Sequence, residues 1–132
     1  MEPLQKRLAT VLADGGGISV ETEADGALTV FYDGTWTSLR VVAVTEDLDL
    51  VLLTQVLVRD LPLTRQVREL LTAQARDLNF GSVTVFDGSA PKTGDVILRY
   101  YFPGGGLADA ALRTLILLVL DTGAEIRRAL TA

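Results

Sequence analysis

With neither Cys nor His in its 132 residues, the chain is left with carboxylates, ten arginines and two lysines as the side chains that could carry chemistry. That excludes disulfides, thiolate nucleophiles and zinc sites of the Cys/His kind. It also removes the general base of a Ser-His-Asp or Cys-His triad. Two groups of carboxylates remain. Glu46-Asp47-Leu48-Asp49 resembles a calcium loop only in charge, because it lacks the ligand spacing and the terminal bidentate Glu. Glu21 and Glu23 alternate along a strand and so face one way, toward solvent. A carboxylate pair can act as acid and base only across a cleft, and no spacing here places one. Lys6 falls on an exposed helix face and Lys92 in a loop, neither of them a desolvated amine. The residue types therefore predict no catalytic residue, no metal site and no cofactor, in a protein that is not an enzyme.

Two glycine runs invite a phosphate-loop reading. Gly15-Gly16-Gly17 follows a helix and precedes a strand, so it reads as a helix stop. Gly104-Gly105-Gly106 does precede a helix, but no Lys-Ser/Thr pair follows it and no βαβ unit surrounds it. It reads as a connection.

The elements that would position these residues follow from periodicity. Leu4, Leu8, Val11 and Leu12 mark an amphipathic helix entered through Pro3. Ile18 to Ala24 and Ala27 to Asp33 alternate around Asp25-Gly26, a hairpin signal. Asp33-Gly34 leads into a third strand, Trp36 to Thr45, and Leu50 to Arg59 makes a fourth. Asp60-Leu61-Pro62 closes this meander. Thr64 caps a helix whose apolar stripe is Val67, Leu70, Leu71, Ala75 and Leu78. A hairpin of Val83 to Phe86 and Asp95 to Phe102 follows, around a loop expected to be mobile. Leu107 to Leu130 forms the last helix, with a kink expected at Thr122-Gly123. The fold class is α+β: helix, four-stranded antiparallel meander, helix, β-hairpin, helix, with the helices packed on an antiparallel sheet in a single domain over 1–132.

Seventeen acidic against twelve basic residues give a net charge of -5, which argues against nucleic acid and anionic lipid as partners. No segment approaches the roughly 20 apolar residues of a membrane span. The N-terminus has no apolar stretch of the signal-peptide kind, so the expected location is the cytoplasm.

Strand parity assigns directions. Ile18, Val20, Leu28, Val30 and Tyr32 share the inward side, with Phe31 outward. In the third and fourth strands both sides are apolar, Leu50, Leu52, Val56 and Val58 opposing Val51, Leu53 and Leu57. Such strands are covered on both faces, by helices or by a partner. The all-round apolar run Leu115 to Leu120 adds to this surplus. In Arg99-Tyr100-Tyr101-Phe102, Tyr100 and Phe102 go inward with Leu98. Phe31, Trp36 and Tyr101 are then the aromatics left for the other side, and are the candidate partner-binding residues.

Three stretches carry a family resemblance: Leu61-Pro62-Leu63-Thr64, then Asp77 to Val85, then Asp95 to Pro103 before an apolar last helix. With the element order, the chain resembles the YbjN-like and type III secretion chaperone-like fold. It is similar to the YbjN-like peptide-binding chaperone domains of actinobacteria. The resemblance implies a non-enzymatic, chaperone-like protein that holds a segment of another protein, as a homodimer. The alternative expectation is a small-molecule-binding or regulatory domain with a cavity between sheet and last helix.

Overall fold

The computed structural model describes residues 3–13 and 17–132, so the turn expected at 14–16 lies outside the described residues. Helix α1 (Leu4–Ala13) is followed by β1 (Ile18–Thr22), β2 (Leu28–Tyr32), β3 (Thr35–Thr45) and β4 (Leu48–Pro62). Helix α2 (Arg65–Arg76), β5 (Ser82–Asp87), β6 (Thr93–Pro103) and α3 (Asp109–Thr131) complete the chain. All six strands form one antiparallel sheet in the order β1-β2-β3-β4-β6-β5. The α+β class and the packing of helices on the sheet are as expected. The hairpin joins the meander through β6, which leaves β5 at the edge.

Local chemistry explains the turns. Asp33 and Gly34 both have positive φ, 44° and 78°, the geometry of a two-residue type I′ hairpin turn. Thr64 caps α2 by accepting from the Val67 N–H at 3.2 Å. Within α2, Leu71 is buried and Val67 packs on the core, but Leu70 faces solvent. The stripe is therefore narrower than its spacing suggested, since α2 touches the rest of the molecule mainly along α3.

All three helices lie on one face. Helix α3 crosses β3 and β4, with α1 on one flank and α2 on the other. This central position buries Ile116, Val119 and Leu120, half-buries Leu115 and Leu117, and leaves Leu118 outside. Leu112, Ile116 and Leu120 lie in one core with Leu39, Leu53 and Leu57, while a pocket of about 330 Å³ opens where the end of α3 meets the sheet, lined by Gly34, Leu57, Val58 and Arg127. No break in α3 marks Gly123. A Cβ there would stand 1.9 Å from Oε1 of the buried Gln55, whose Nε2 donates to the Thr35 hydroxyl and the Leu120 carbonyl. The glycine lets α3 lie down on that amide.

Strand β4 departs from simple alternation. Its register with β6 slips between Val56 and Val58, so that both Leu57 and Val58 enter the core. Val58 therefore faces the helices and not, as alternation implied, the other side: a bulge inserts one residue and reverses parity beyond it. The Leu57 carbonyl accepts from Arg127 Nη1 of α3 at 2.7 Å. A second slip at Asp60, whose φ is 52°, carries β4 on to Pro62 instead of ending it at Arg59. The loop after β5 is not loose. Asp60 accepts from the Ser89 N–H at 2.6 Å and from its hydroxyl at 2.7 Å, and the Lys92 carbonyl accepts from the Leu63 N–H. These bonds to Ser89, the hydroxyl's first, hold the Asp60 carboxyl below the usual aspartate range.

Candidate functional site: the open face of the sheet

The face opposite the helices is read directly from the register. Its first row runs Ser19, Phe31, Trp36, Val56, Ile97 and Thr84 across all six strands. The next is polar, with Thr29, Ser38, Thr54, Arg99 and Ser82. Beyond it lie Arg40, Leu52 and Tyr101, then Val42, Leu50 and Pro103. Two apolar bands thus flank a hydroxyl-rich strip.

Phe31, Trp36 and Tyr101 all fall on this face, 39%, 41% and 51% exposed. Phe31 and Trp36 are direct cross-strand neighbours. Tyr101 stands in the other apolar band beside Leu52, about 16 Å away by strand and residue spacing. The structure therefore brings two of the three together and sets the third apart.

Three residues of this face were not among the candidates. Phe86, 41% exposed, follows from the parity of β5, since it alternates with Val83 and Val85. The Arg99 guanidinium lies 5.1 Å from its ring centroid. Arg59 lies 5.6 Å from the Trp36 ring, and no alternation could have placed it there. Counted from Val51 and Leu53 it should face the helices; the bulge at Leu57 turns it outward. Neither arginine forms an ion pair among the described residues, whereas Arg40 on the same face is bound to Asp25 at 2.7 Å. The Asp25 carboxyl is held low by the Ala27 N–H first and by Arg40 second.

The other sequence features are structural. Arg7 of α1 donates to the Gly105 and Leu107 carbonyls and pairs with Asp109 in the first turn of α3. The stretch from Gly105 into α3 thus presents the Gly105 and Leu107 carbonyls and the Asp109 carboxylate to a cation, the reverse of an anion cradle. Among the described residues no three Asp or Glu side chains converge as metal ligands. Lys92 sits at a positive φ of 62° in the loop held by Asp60. A cleft of about 280 Å³ between α2 and α3 is lined by Asp77, Phe80, Thr122 and Glu125. No described helix is long and apolar enough to cross a membrane.

No family model and no curated protein sequence matches the chain. Among solved structures, the fold is similar to the crystal structure of YbjN from E. coli, for which a role as a transcription regulator has been suggested. The TM-score is 0.65 over 95% of this chain and 89% of that one, at 11% sequence identity. At that identity the likeness concerns the fold and does not extend to a secretion-chaperone role: the chain has a YbjN-like fold, one sheet with three helices on a single side.

Proposed function

We propose that this protein works by contact, holding a polypeptide segment on the open face of its sheet as a non-enzymatic, chaperone-like homodimer in the cytoplasm. The observation that carries the reading is the pair of apolar bands on the face away from the helices: Phe31 and Trp36 stand exposed, followed by a buried Val56 and a half-buried Ile97, and Tyr101 stands exposed beside a half-buried Leu52. Exposed apolar surface of this kind, rimmed by polar groups, marks interaction sites. Aromatic anchors supply affinity, and the hydroxyl strip between the bands offers hydrogen bonds to a backbone. Arg59 and Arg99, poised over Trp36 and Phe86 without carboxylate partners among the described residues, favour a segment that mixes acidic and apolar side chains. The regulatory role suggested for E. coli YbjN is compatible with such contact, and the net charge of -5 favours a protein partner over nucleic acid.

Trp36 is the only tryptophan, so its fluorescence reports on this face alone. Titration with extended peptides alternating Glu or Asp with Leu or Val is expected to shift its emission to the blue and to saturate. Peptides with Lys in place of the acids should bind at least tenfold more weakly. The double substitution Phe31→Asp and Tyr101→Asp should abolish saturation. An emission unmoved by any peptide, with self-association and partner crosslinking unchanged in the double variant, would remove this face as the site.

A further inference from the structure

We infer that the pocket beneath the end of α3 is a carboxylate site, in which Arg127 and Arg59 take an acidic group of a bound peptide. The pocket arises because two neighbouring strands differ in length. Strand β3 begins at Thr35, and its ladder with β4 ends at the pair Trp36 and Val56. Strand β4 continues through its bulge to Pro62. Beyond Val56 that side of β4 has no β3 partner, and the Leu57 carbonyl there accepts from Arg127 Nη1 at 2.7 Å. The resulting notch of about 330 Å³ is at the small end of the roughly 300–1,000 Å³ typical of ligand pockets, so it takes the end of a ligand and not its length. Trp36, Val56 and Arg59 wall it from the open face of the sheet, and Arg127, packed over Gly34, walls it from the helix layer.

Its charge is one-sided. Two arginines line it, and no Asp or Glu does. Neither arginine forms an ion pair among the described residues. The adjacent carboxylates are engaged elsewhere: Asp33, next to Gly34, pairs with Arg128, and Asp60, next to Arg59, accepts from Ser89. Arg127 is half-buried, and a cation drawn from water is costly until an anion meets it. Its bond to Leu57 engages one N–H of five and fixes the plane of the others. A guanidinium held in that way fits an acceptor with two oxygens side by side, as a carboxylate has. The remaining wall selects what carries the acid. Trp36, Val56, Leu57 and Val58 offer no side-chain hydrogen bonds to the shell of a fully hydrated phosphate, but they suit an apolar side chain beside the acid. Trp36 and Val56 also belong to the first apolar band, so the pocket continues the open face. The inference deepens the contact reading and rests on it for the peptide nature of the ligand.

Acetylated four-residue peptides of Leu and Val test it on the whole chain through Trp36 emission. The peptide with a free C-terminal carboxylate, or the amidated one with an internal Glu, is expected to bind at least about tenfold tighter than the plain amide, the size of one charged hydrogen bond. Which of the two gains identifies a chain end or a side chain as the source. Arg127→Gln, which can still donate to the Leu57 carbonyl, and the exposed Arg59→Gln should each bring acid and amide within about twofold of one another. Arg113→Gln is the matched control: Arg113 also stands half-buried on α3 and donates to a carbonyl, that of Val11, away from this pocket. It should keep the full preference. Equal binding of acids and amide by the wild type, a preference that survives either Arg59→Gln or Arg127→Gln, or inorganic phosphate displacing the acidic peptide at equal concentration overturns the inference. The wild-type and Arg59→Gln measurements decide the matter even where Arg127→Gln loses its circular dichroism. A saturating amide with no gain from the acid removes the pocket and spares the open face, whereas no response to any peptide removes both.

Discussion

Leu52 and Leu53 are adjacent in β4 and chemically identical, yet they belong to different worlds. Leu53 is fully buried among the leucines of α3, opposite Leu39 on one side and Tyr100 on the other. Leu52, half-buried, stands between Arg40 and Tyr101 on the face that none of the described helices covers. The contrast recurs along β4, where Val51 is buried and Leu50 is not. The covered face is held by a buried cluster that includes Leu28, Val30, Leu39, Leu53 and Leu98, with half-buried side chains around it. It is locked by α3, whose Arg127 reaches the Leu57 carbonyl, whose Arg128 pairs with Asp33 and whose Asp121 accepts from the Tyr32 hydroxyl. That last bond pushes the Tyr32 phenol above its usual range. The open face repeats the apolar content without the cover. A strand can thus be apolar on both sides while the helices cover only one of them.

The sharpest break of that comparison is a matched truncation. Leu53→Ala should destabilise by about 2–5 kcal/mol, the range for a leucine removed from a closed core. Leu52→Ala, relieved of few contacts, should cost under about 1 kcal/mol. Urea unfolding of the two variants measures the difference; equal losses would mean that the open face contributes as much to folding as the covered one.

Next in size is Gly123→Ala. A methyl group in the place held by Gln55 Oε1 must push back either the helix or the amide, and overpacking of this kind costs about 1–3 kcal/mol. Adding Gln55→Ala to it should recover part of the loss, because the obstacle is then gone. Thermal unfolding of the single and double variants reads this coupling, and strict additivity would contradict it.

The smallest effect lies at the sheet's margin. The Asp60 carboxyl is held low by Ser89, so its contribution to order is fully present above the ordinary aspartate value of 3.8 and is lost as pH falls through the lower folded value. Amide exchange at Ser89, corrected for its intrinsic pH dependence, should therefore gain relative protection on raising pH from 2 to about 5. Asp60→Asn, which tolerates the positive φ of 52°, should flatten that profile while leaving global unfolding nearly unchanged.

These contrasts also separate what could be read early from what could not. Period-two alternation placed Phe31, Trp36 and Tyr101 away from the helices because β2, the start of β3 and β6 keep regular pleats there. The same rule failed for Val58 and Arg59, since a bulge is a property of two strands competing for register and leaves no mark in one strand's own pattern. It was equally silent on the loop at 88–92, whose anchor, Asp60, is remote in sequence.

By itself the sequence determined the order of elements, the turn at Asp33-Gly34, the Thr64 cap and the absence of thiol and imidazole chemistry; it located the first hairpin at Asp25-Gly26 but not its three-residue loop, Ala24 to Gly26, which closes with the Glu23 N–H donating to the Ala27 carbonyl. These depend on neighbours in the chain: dihedral preferences, residue type and the spacing of apolar side chains. Tertiary structure alone decided that β6 lies beside β4 while β5 stays at the edge, that all three helices choose one face, and that Arg59 turns out onto Trp36. Such outcomes come from long-range competition for burial. The long apolar β6 and the central α3 gain most by packing on β4, and once they do, the opposite apolar surface is met by none of the described helices.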